Sequence, residues 1–158
     1  MFRSIASPFC CNFFPKTFNQ NACASLISGL LFFTGWWLMI DTHVNYADII
    51  TKNGMYYLPG IASTMAFFII NMVPLRMIEE PYGYEDNARC SILIATIILF
   101  VGLVIAFSAV IGSMYILIND FLVVSEDSIW PGFAILLQCI FIFCANLVMK
   151  FGTKSNDF

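Results

Sequence analysis

The stretch CSILIATIILFVGLVIAFSAVIGSMYILI, residues 90–118, contains no charged side chain and decides the fold class. An α-helix rises about 1.5 Å per residue, so about 20 apolar residues cross the roughly 30 Å hydrocarbon core of a bilayer. A run this long predicts a membrane-spanning helix that tilts or extends beyond the bilayer.

Three further apolar runs flank this one, at residues 22–42, 57–75 and 129–151. The whole chain is 60% hydrophobic and 11% charged, whereas soluble domains carry about 45–50% apolar and about 25% charged residues. A water-soluble globule of this composition is excluded. We predict an all-α polytopic membrane protein whose four transmembrane helices pack as a small bundle.

The spans divide the chain into three parts. A Phe-rich segment occupies residues 1–21, the transmembrane domain occupies residues 22–152, and a short tail occupies residues 153–158. The connections between spans are too short to hold a separate domain, so membrane lipids are the surroundings that the sequence predicts for nearly the whole protein.

The distribution of lysine and arginine predicts the orientation, because these residues are enriched in cytoplasmic loops. Only Lys52 falls in a loop on one side of the membrane. The other six fall on the opposite side, namely Arg3, Lys16, Arg76, Arg89, Lys150 and Lys154. We therefore expect both termini and the loop at residues 76–89 to be cytoplasmic.

The cysteine spacing, the single histidine and the net charge limit the kinds of binding site and catalytic site that the chain could form. The six cysteines show no paired C-x-x-C spacing, so no metal site is expected. His43 is the only histidine, and no nucleophile–base pair or nucleotide-binding motif is present. The net charge of −3 gives no sign of nucleic-acid binding. We expect a protein that is not an enzyme and has no cofactor. Cys10 and Cys11, beside aromatic residues, are candidates for S-acylation.

Asp41 is the one acidic residue within or beside a span. It lies near the outer end of the first span, where it fits a structural cap or interhelical anchor. The alternative is a transport role, because intramembrane ionisable groups mark ion paths. Asn71, Gln138 and Asn146 do not ionise, and we expect their amides to form hydrogen bonds that fix the packing of helices.

Small residues recur four apart in the spans, as in Gly102 with Ala106 and Ser108 with Gly112. Such spacing lets helix backbones approach closely. We expect these glycines to contact either helices of the same bundle or another subunit.

The stretch SGLLFFTGWWLMIDTHVNY at residues 28–46 contains F-F-T-G-W-W followed by an aspartate. These residues carry the strongest resemblance to a known family, the transmembrane protein 50 family. The resemblance extends to PGIASTMAFFIINMV at residues 59–73, LFVGLVIAFSAVIGSMYIL at residues 99–117 and WPGFAILLQCIFIFCANLVMKFG at residues 130–152. The matched positions Trp36, Trp37, Asp41, Asn71 and Gln138 are candidates for roles in folding or assembly.

The resemblance implies a trafficking factor of endosomal and secretory membranes, in the endosome, Golgi or endoplasmic reticulum. Fungal relatives act in transport from late endosome to vacuole with a second small integral membrane protein, of the leptin-receptor-overlapping-transcript family. We therefore expect a non-enzymatic subunit that works through helix–helix assembly. Two alternatives remain open: a pore or transporter subunit with Asp41 at an outer vestibule, and an accessory subunit of a larger membrane complex.

Overall fold

The computed structural model describes residues 20–51, 54–73, 86–123 and 128–152. The Phe-rich segment with Cys10 and Cys11 lies outside these ranges, apart from its last two residues. The tail at residues 153–158 also lies outside them, as does most of the loop at residues 76–89.

The described residues form helices and the short turns that join them. Helix α1 spans Gln20–Asn45, α2 spans Ala47–Ile50, α3 spans Leu58–Met72, α4 spans Asp86–Ile116 and α5 spans Trp130–Gly152. A 3-10 turn at Gly54–Tyr57 leads into α3, and a π-helical turn at Leu117–Leu122 extends α4. Helices α1, α3, α4 and α5, with these turns, are long and apolar enough to cross a membrane. The all-α, four-span fold is therefore confirmed.

Proline sets the limits of α3. Pro59 lies in its first turn, where the missing N–H would have no helical partner in any case. At the other end Val73 adopts an extended backbone, because the residue before a proline, here Pro74, is disfavoured in the α conformation. The helix therefore ends at Met72 rather than near residue 75.

Two helices extend further than the apolar runs alone suggest. Helix α1 passes Asp41 and ends at Asn45, and the π-helical turn carries α4 to Leu122 instead of residue 118. The amide of Val123 donates to the carbonyl of Ile118 at 3.1 Å. When a helix continues, its backbone N–H and C=O groups form hydrogen bonds within the helix itself. This favours helix near the ends of a membrane span.

Helix α5 lies at the centre of the bundle. It packs most extensively on α1 and also contacts α3 and α4, which pair with each other. At one end, which we call the Lys150 end, Gly152 approaches Ala24 near the start of α1. The opposite end, the Tyr57 end, holds a core cluster of Met39, Ile50, Tyr56, Leu117, Phe121 and Ile135.

The outer surface of the bundle is apolar. Large exposed side chains occur on every long helix, including Phe33, Phe68, Ile111 and Phe151. An apolar surface of this extent is stable against lipid and not against water. The fold therefore leaves the interior of the bundle as the place where polar groups collect.

A candidate functional site along the central helix

A polar stripe runs along the inner face of α5. Gln138, Ile142, Asn146 and Lys150 follow one another at intervals of four residues, and all four are buried. Residues four apart lie on the same face of a helix, so this spacing places two amides and one amine on a line through the bundle. We use the name polar stripe for Gln138, Asn146 and Lys150.

Lys150 joins α5 to the end of α3. Its side chain is 8% exposed, and its ammonium donates to the carbonyl oxygen of Ile70 at 3.0 Å and to that of Val73. The last carbonyls of a helix lack intrahelical partners and carry the negative end of the helix dipole. The amine therefore caps the end of α3.

The charge of Lys150 has no carboxylate beside it among the residues that the structure describes. A buried cation of this kind depends on hydrogen bonds to dipoles for its stability. The two carbonyl oxygens of α3 supply those bonds, and an ammonium has three N–H donors.

Asn146 lies one helical turn deeper than Lys150. It is 2% exposed, and neither atom of its amide has a hydrogen-bond partner in the described part of the chain. The preceding residue, Ala145, accepts a hydrogen bond at its carbonyl from the hydroxyl of Ser28 at 2.9 Å, which fastens α1 to α5. Asn146 lines a cavity of about 50 Å³ between α3, α4 and α5.

Gln138 lies deeper still, where α5 meets α1 and α3. Its side-chain amide covers Gly60 so closely that a Cβ on Gly60 would lie 2.7 Å from the amide nitrogen. Its backbone carbonyl would lie 3.2 Å from a Cβ on Gly35. The amide is buried and has no hydrogen-bond partner among the described residues. The two glycines therefore accommodate Gln138 because they lack side chains, not through hydrogen bonds to its amide.

The two tryptophans of α1 have different surroundings. The indole N–H of Trp36 donates to the hydroxyl of Thr64 at 3.2 Å, and that hydroxyl donates to the carbonyl of Gly60 at 2.8 Å. Trp37 is 73% exposed and faces outward. Trp36 therefore joins α1 to α3, whereas Trp37 lies on the lipid-facing surface.

We expect the bond between Trp36 and Thr64 to show as a coupling energy in a double-mutant cycle. The variants Trp36→Phe and Thr64→Val each remove one partner, and the double variant removes both. Interhelical hydrogen bonds of this kind contribute about 0.6 kcal/mol on average and up to about 1.7 kcal/mol. Unfolding in detergent measures the four free energies, and strictly additive single effects would contradict a direct bond.

Asp41 and His43 interact with different partners at the Tyr57 end. The exposed carboxylate of Asp41 accepts a hydrogen bond from the amide of Asn45 at 3.2 Å, within the same helix. His43 Nδ1 lies 2.6 Å from the hydroxyl of Tyr57. Continuous helix through this region points the two residues in different directions, so they do not form a dyad.

The amide of Asn71 also bonds within its own helix. It donates to the carbonyl of Phe67 at 2.8 Å, so the expected bond to another helix is absent from its described contacts. A side chain that returns to the carbonyl four residues earlier satisfies its donor without a partner helix.

The two glycines singled out in α4 have opposite surroundings. A Cβ on Gly102 would lie 2.7 Å from Cγ1 of Ile70 and 3.1 Å from Cγ2 of Ile69, both on α3. A Cβ on Gly112 would meet no atom within 4 Å. Gly102 therefore belongs to the contact between α3 and α4, whereas Gly112 lies on a face without a neighbour among the residues that the structure describes.

The sequence does not predict the interior roles of Lys150 and Ser28. It assigns Lys150 only to the charges that set orientation. The spacing of Gln138, Asn146 and Lys150 is the available signal, because polar residues four or eight apart in an apolar helix share one face. Nothing local distinguishes Ser28 from other small residues of the spans.

With the geometry described, comparison with known proteins identifies the family. A model of an uncharacterised protein family, UPF0220, matches residues 5–158. A protein of Dictyostelium discoideum named transmembrane protein 50 homolog is 30% identical, over 83% of this chain and 89% of that protein. The chain belongs to the transmembrane protein 50 family. No solved structure matches it.

Proposed function

We propose that this member of the transmembrane protein 50 family is a non-enzymatic subunit that assembles with another integral membrane protein. The observation that carries the proposal is the pair Gly29 and Gly112. Added Cβ atoms there would meet nothing within 4 Å, whereas the other glycines of the long helices are packed against neighbouring helices. Both open glycines lie four residues from a serine, at Ser25 and Ser108.

The face around Gly112 suits a partner helix. Ser108 and Tyr115 lie on the same side of α4 as Gly112, and both are exposed. The hydroxyl of Ser108 donates to the carbonyl of Val104 at 2.7 Å, so no unsatisfied donor opposes contact with lipid or with another helix. Glycine at the centre of such a face allows backbones to approach closely, which is how helices associate within a bilayer.

The proposed partner and compartment rest on the resemblance of the spans to the family. We propose a role in transport from late endosome to vacuole or lysosome, with a second small integral membrane protein of the leptin-receptor-overlapping-transcript type. The family name supports only the statement that this is a membrane protein. The trafficking role is part of the proposal. A larger complex that holds this chain as an accessory subunit would use the same face.

We expect Gly112→Leu to remove the partner while the chain still inserts and folds. Leucine adds a branched side chain where the partner backbone would lie, and none of the described residues lies within 4 Å of its Cβ to oppose it. A loss of about 2 kcal/mol in association, of the size seen when packed positions are overfilled, would lower the bound fraction about thirtyfold under dilute conditions. Purification in mild detergent followed by mass spectrometry and native gels measures the complex.

Two variants control this experiment. Gly112→Ala adds one carbon and should give an intermediate loss, whereas Ile61→Phe enlarges a side chain that is already exposed on α3, away from this face, and should change nothing. An unchanged complex in Gly112→Leu would contradict the proposed face. A wild-type protein that purifies alone would contradict the proposed function. It would favour the alternative hypothesis of a pore or transporter subunit, which is tested by comparing flux through the wild type and the Asp41→Asn variant.

A further inference from the structure

Helix α4 extends past its neighbours at the Lys150 end of the bundle. Phe107 of α4 and Phe143 of α5 pack with ring centroids 4.9 Å apart. Helix α5 ends nine residues after Phe143, at Gly152, and antiparallel α4 reaches that level nine residues before Phe107. Helix α3 ends near the same level, because Gly102 packs on its last turn. Residues 86–97, which we call the α4 projection, therefore continue about 18 Å further, at about 1.5 Å per residue.

The α4 projection has an apolar surface. Leu93 is 61% exposed and Ile97 is 52% exposed. Both line an open, almost wholly apolar depression together with Ile92 and Thr96. The hydroxyl of Thr96 donates to the carbonyl of Ile92 at 2.9 Å, so this hydroxyl already has a partner. The depression therefore suits apolar or aromatic side chains.

The hydrocarbon of the bilayer does not account for this surface. Helix α5 has 23 residues, and about 20 residues are needed to cross the roughly 30 Å core. The core therefore lies almost entirely between the two ends of α5. The α4 projection continues past Gly152 into the headgroups and beyond them, where exposed leucine and isoleucine meet water.

A segment of matching chemistry enters the bundle at the same end. Helix α1 begins at Gln20, four residues before Ala24, which packs on Gly152. The Phe-rich segment that precedes α1 has phenylalanine at positions 2, 9, 13, 14 and 18. We propose that this segment covers the depression on the α4 projection, with Phe13 and Phe14 packed against its leucine and isoleucine side chains.

Phe13 and Phe14 have the reach that this contact needs. They precede Gln20 by seven and six residues, and six residues of extended chain cover about 20 Å. Helices α1 and α4 both pack on α5. Packed helices lie about 8–10 Å apart, so α1 and α4 are separated by at most about 20 Å across α5. The contact removes the aromatic rings and the aliphatic side chains from water together.

The other segments that join the bundle at this end suit the face less well. The loop at residues 76–89 has four carboxylates, and the tail at residues 153–158 is polar apart from one phenylalanine. Ionised side chains favour water over an apolar surface. The proposal does not depend on assembly with a partner, because Gly112 lies toward the opposite end of α4.

The test is a photochemical crosslink from α4 in the full chain. The photoreactive amino acid benzoylphenylalanine replaces Ile97 in one sample and Ile111 in a matched control, since both isoleucines are exposed on the same helix. The protein is irradiated in phosphatidylcholine vesicles, and mass spectrometry identifies the linked peptides. We expect position 97 to link to residues 9–18 at the mass of one chain, and position 111 to give no link to that segment.

A second pair of variants examines the rings themselves. Phe13→Ser combined with Phe14→Ser should lower the yield of the link from position 97 about tenfold, because the buried apolar surface is lost. Asn12→Ala combined with Thr17→Ala changes the same segment but spares the rings, and should leave the yield unchanged. Equal yields in the two double variants would contradict a contact made by the rings.

Three results from position 97 would overturn the proposal. Links to lipid alone would assign the face to the bilayer, and links to residues 74–85 would assign it to the loop before α4. A product with the mass of two chains would assign it to a second copy. If the protein with benzoylphenylalanine at Ile97 does not fold, as judged by its unfolding temperature, Leu93 takes its place and the same outcomes decide.

Discussion

Replacing Gly102 by leucine is expected to lower the free energy of unfolding by about 3 kcal/mol, which makes it one of the two most damaging substitutions that we predict. The new Cβ alone would lie 2.7 Å from the side chain of Ile70, and the backbone nitrogen of Ile70 lies 3.5 Å away. Overfilling a packed contact costs about 1–3 kcal/mol, and a full leucine side chain lies at the upper end. Helices α3 and α4 must separate to admit it.

Gly112→Leu is the matched control, because it makes the same chemical change on the same helix. No atom within 4 Å opposes its Cβ, so we expect a change within about 0.5 kcal/mol, as for most surface substitutions. Thermal or denaturant unfolding in detergent measures both variants. Equal stability of the two would show that α4 does not pack on α3 through Gly102.

The contrast between these glycines shows what the sequence could not predict. Both lie four residues from another small residue, and both suited a helix contact. Helix α4 is apolar around its whole circumference, so no polar face marks the side that meets lipid. Its orientation is set by neighbours distant in sequence, such as Ile69 and Ile70, and therefore only the structure separates the packed glycine from the open one.

The length of the apolar runs and their lack of charge predicted the four spans correctly. A helix that crosses lipid needs about 20 apolar residues, and both features can be read from the sequence. The ends of the spans were harder to predict. The end of α3 before Val73 can be predicted from Pro74. The extensions of α1 to Asn45 and of α4 to Leu122 have no comparable signal in the sequence. Polar residues such as Asn119 are compatible with a helix end and with a loop, because water can satisfy them in either.

The polar stripe illustrates a second limit. The sequence identifies Gln138 and Asn146 as candidate interior amides. It does not predict which residues contact them, because it does not show how the helices pack against one another. Gly60 and Gly35 admit Gln138 only because α1 and α3 both lie against α5. Lys150 was counted among the charges that set orientation, and a terminal lysine of a span ordinarily reaches toward the headgroups. Here its amine turns to α3 instead.

Lys150→Met is the second substitution with a large expected effect. Methionine is a flexible apolar side chain that fills much of the same space, but it cannot donate to the carbonyl oxygens of Ile70 and Val73. Hydrogen bonds to charged groups contribute about 1.5–3 kcal/mol each, and a buried carbonyl left without a partner adds its own penalty. We expect the free energy of unfolding to fall by about 3 kcal/mol, with the end of α3 released first.

Lys154→Met separates this effect from orientation. Both substitutions remove one positive charge from the same end of the chain, so any influence on the direction of insertion is the same in both. Lys150 donates to two carbonyl oxygens at the end of α3, and Lys154 lies outside the described residues. A loss of stability confined to Lys150→Met would therefore report the cap. Hydrogen exchange in detergent should also rise at the amides near Met72 in that variant alone. If both variants unfold alike, the carbonyls of α3 find other donors, and the amine of Lys150 contributes charge without holding the helix.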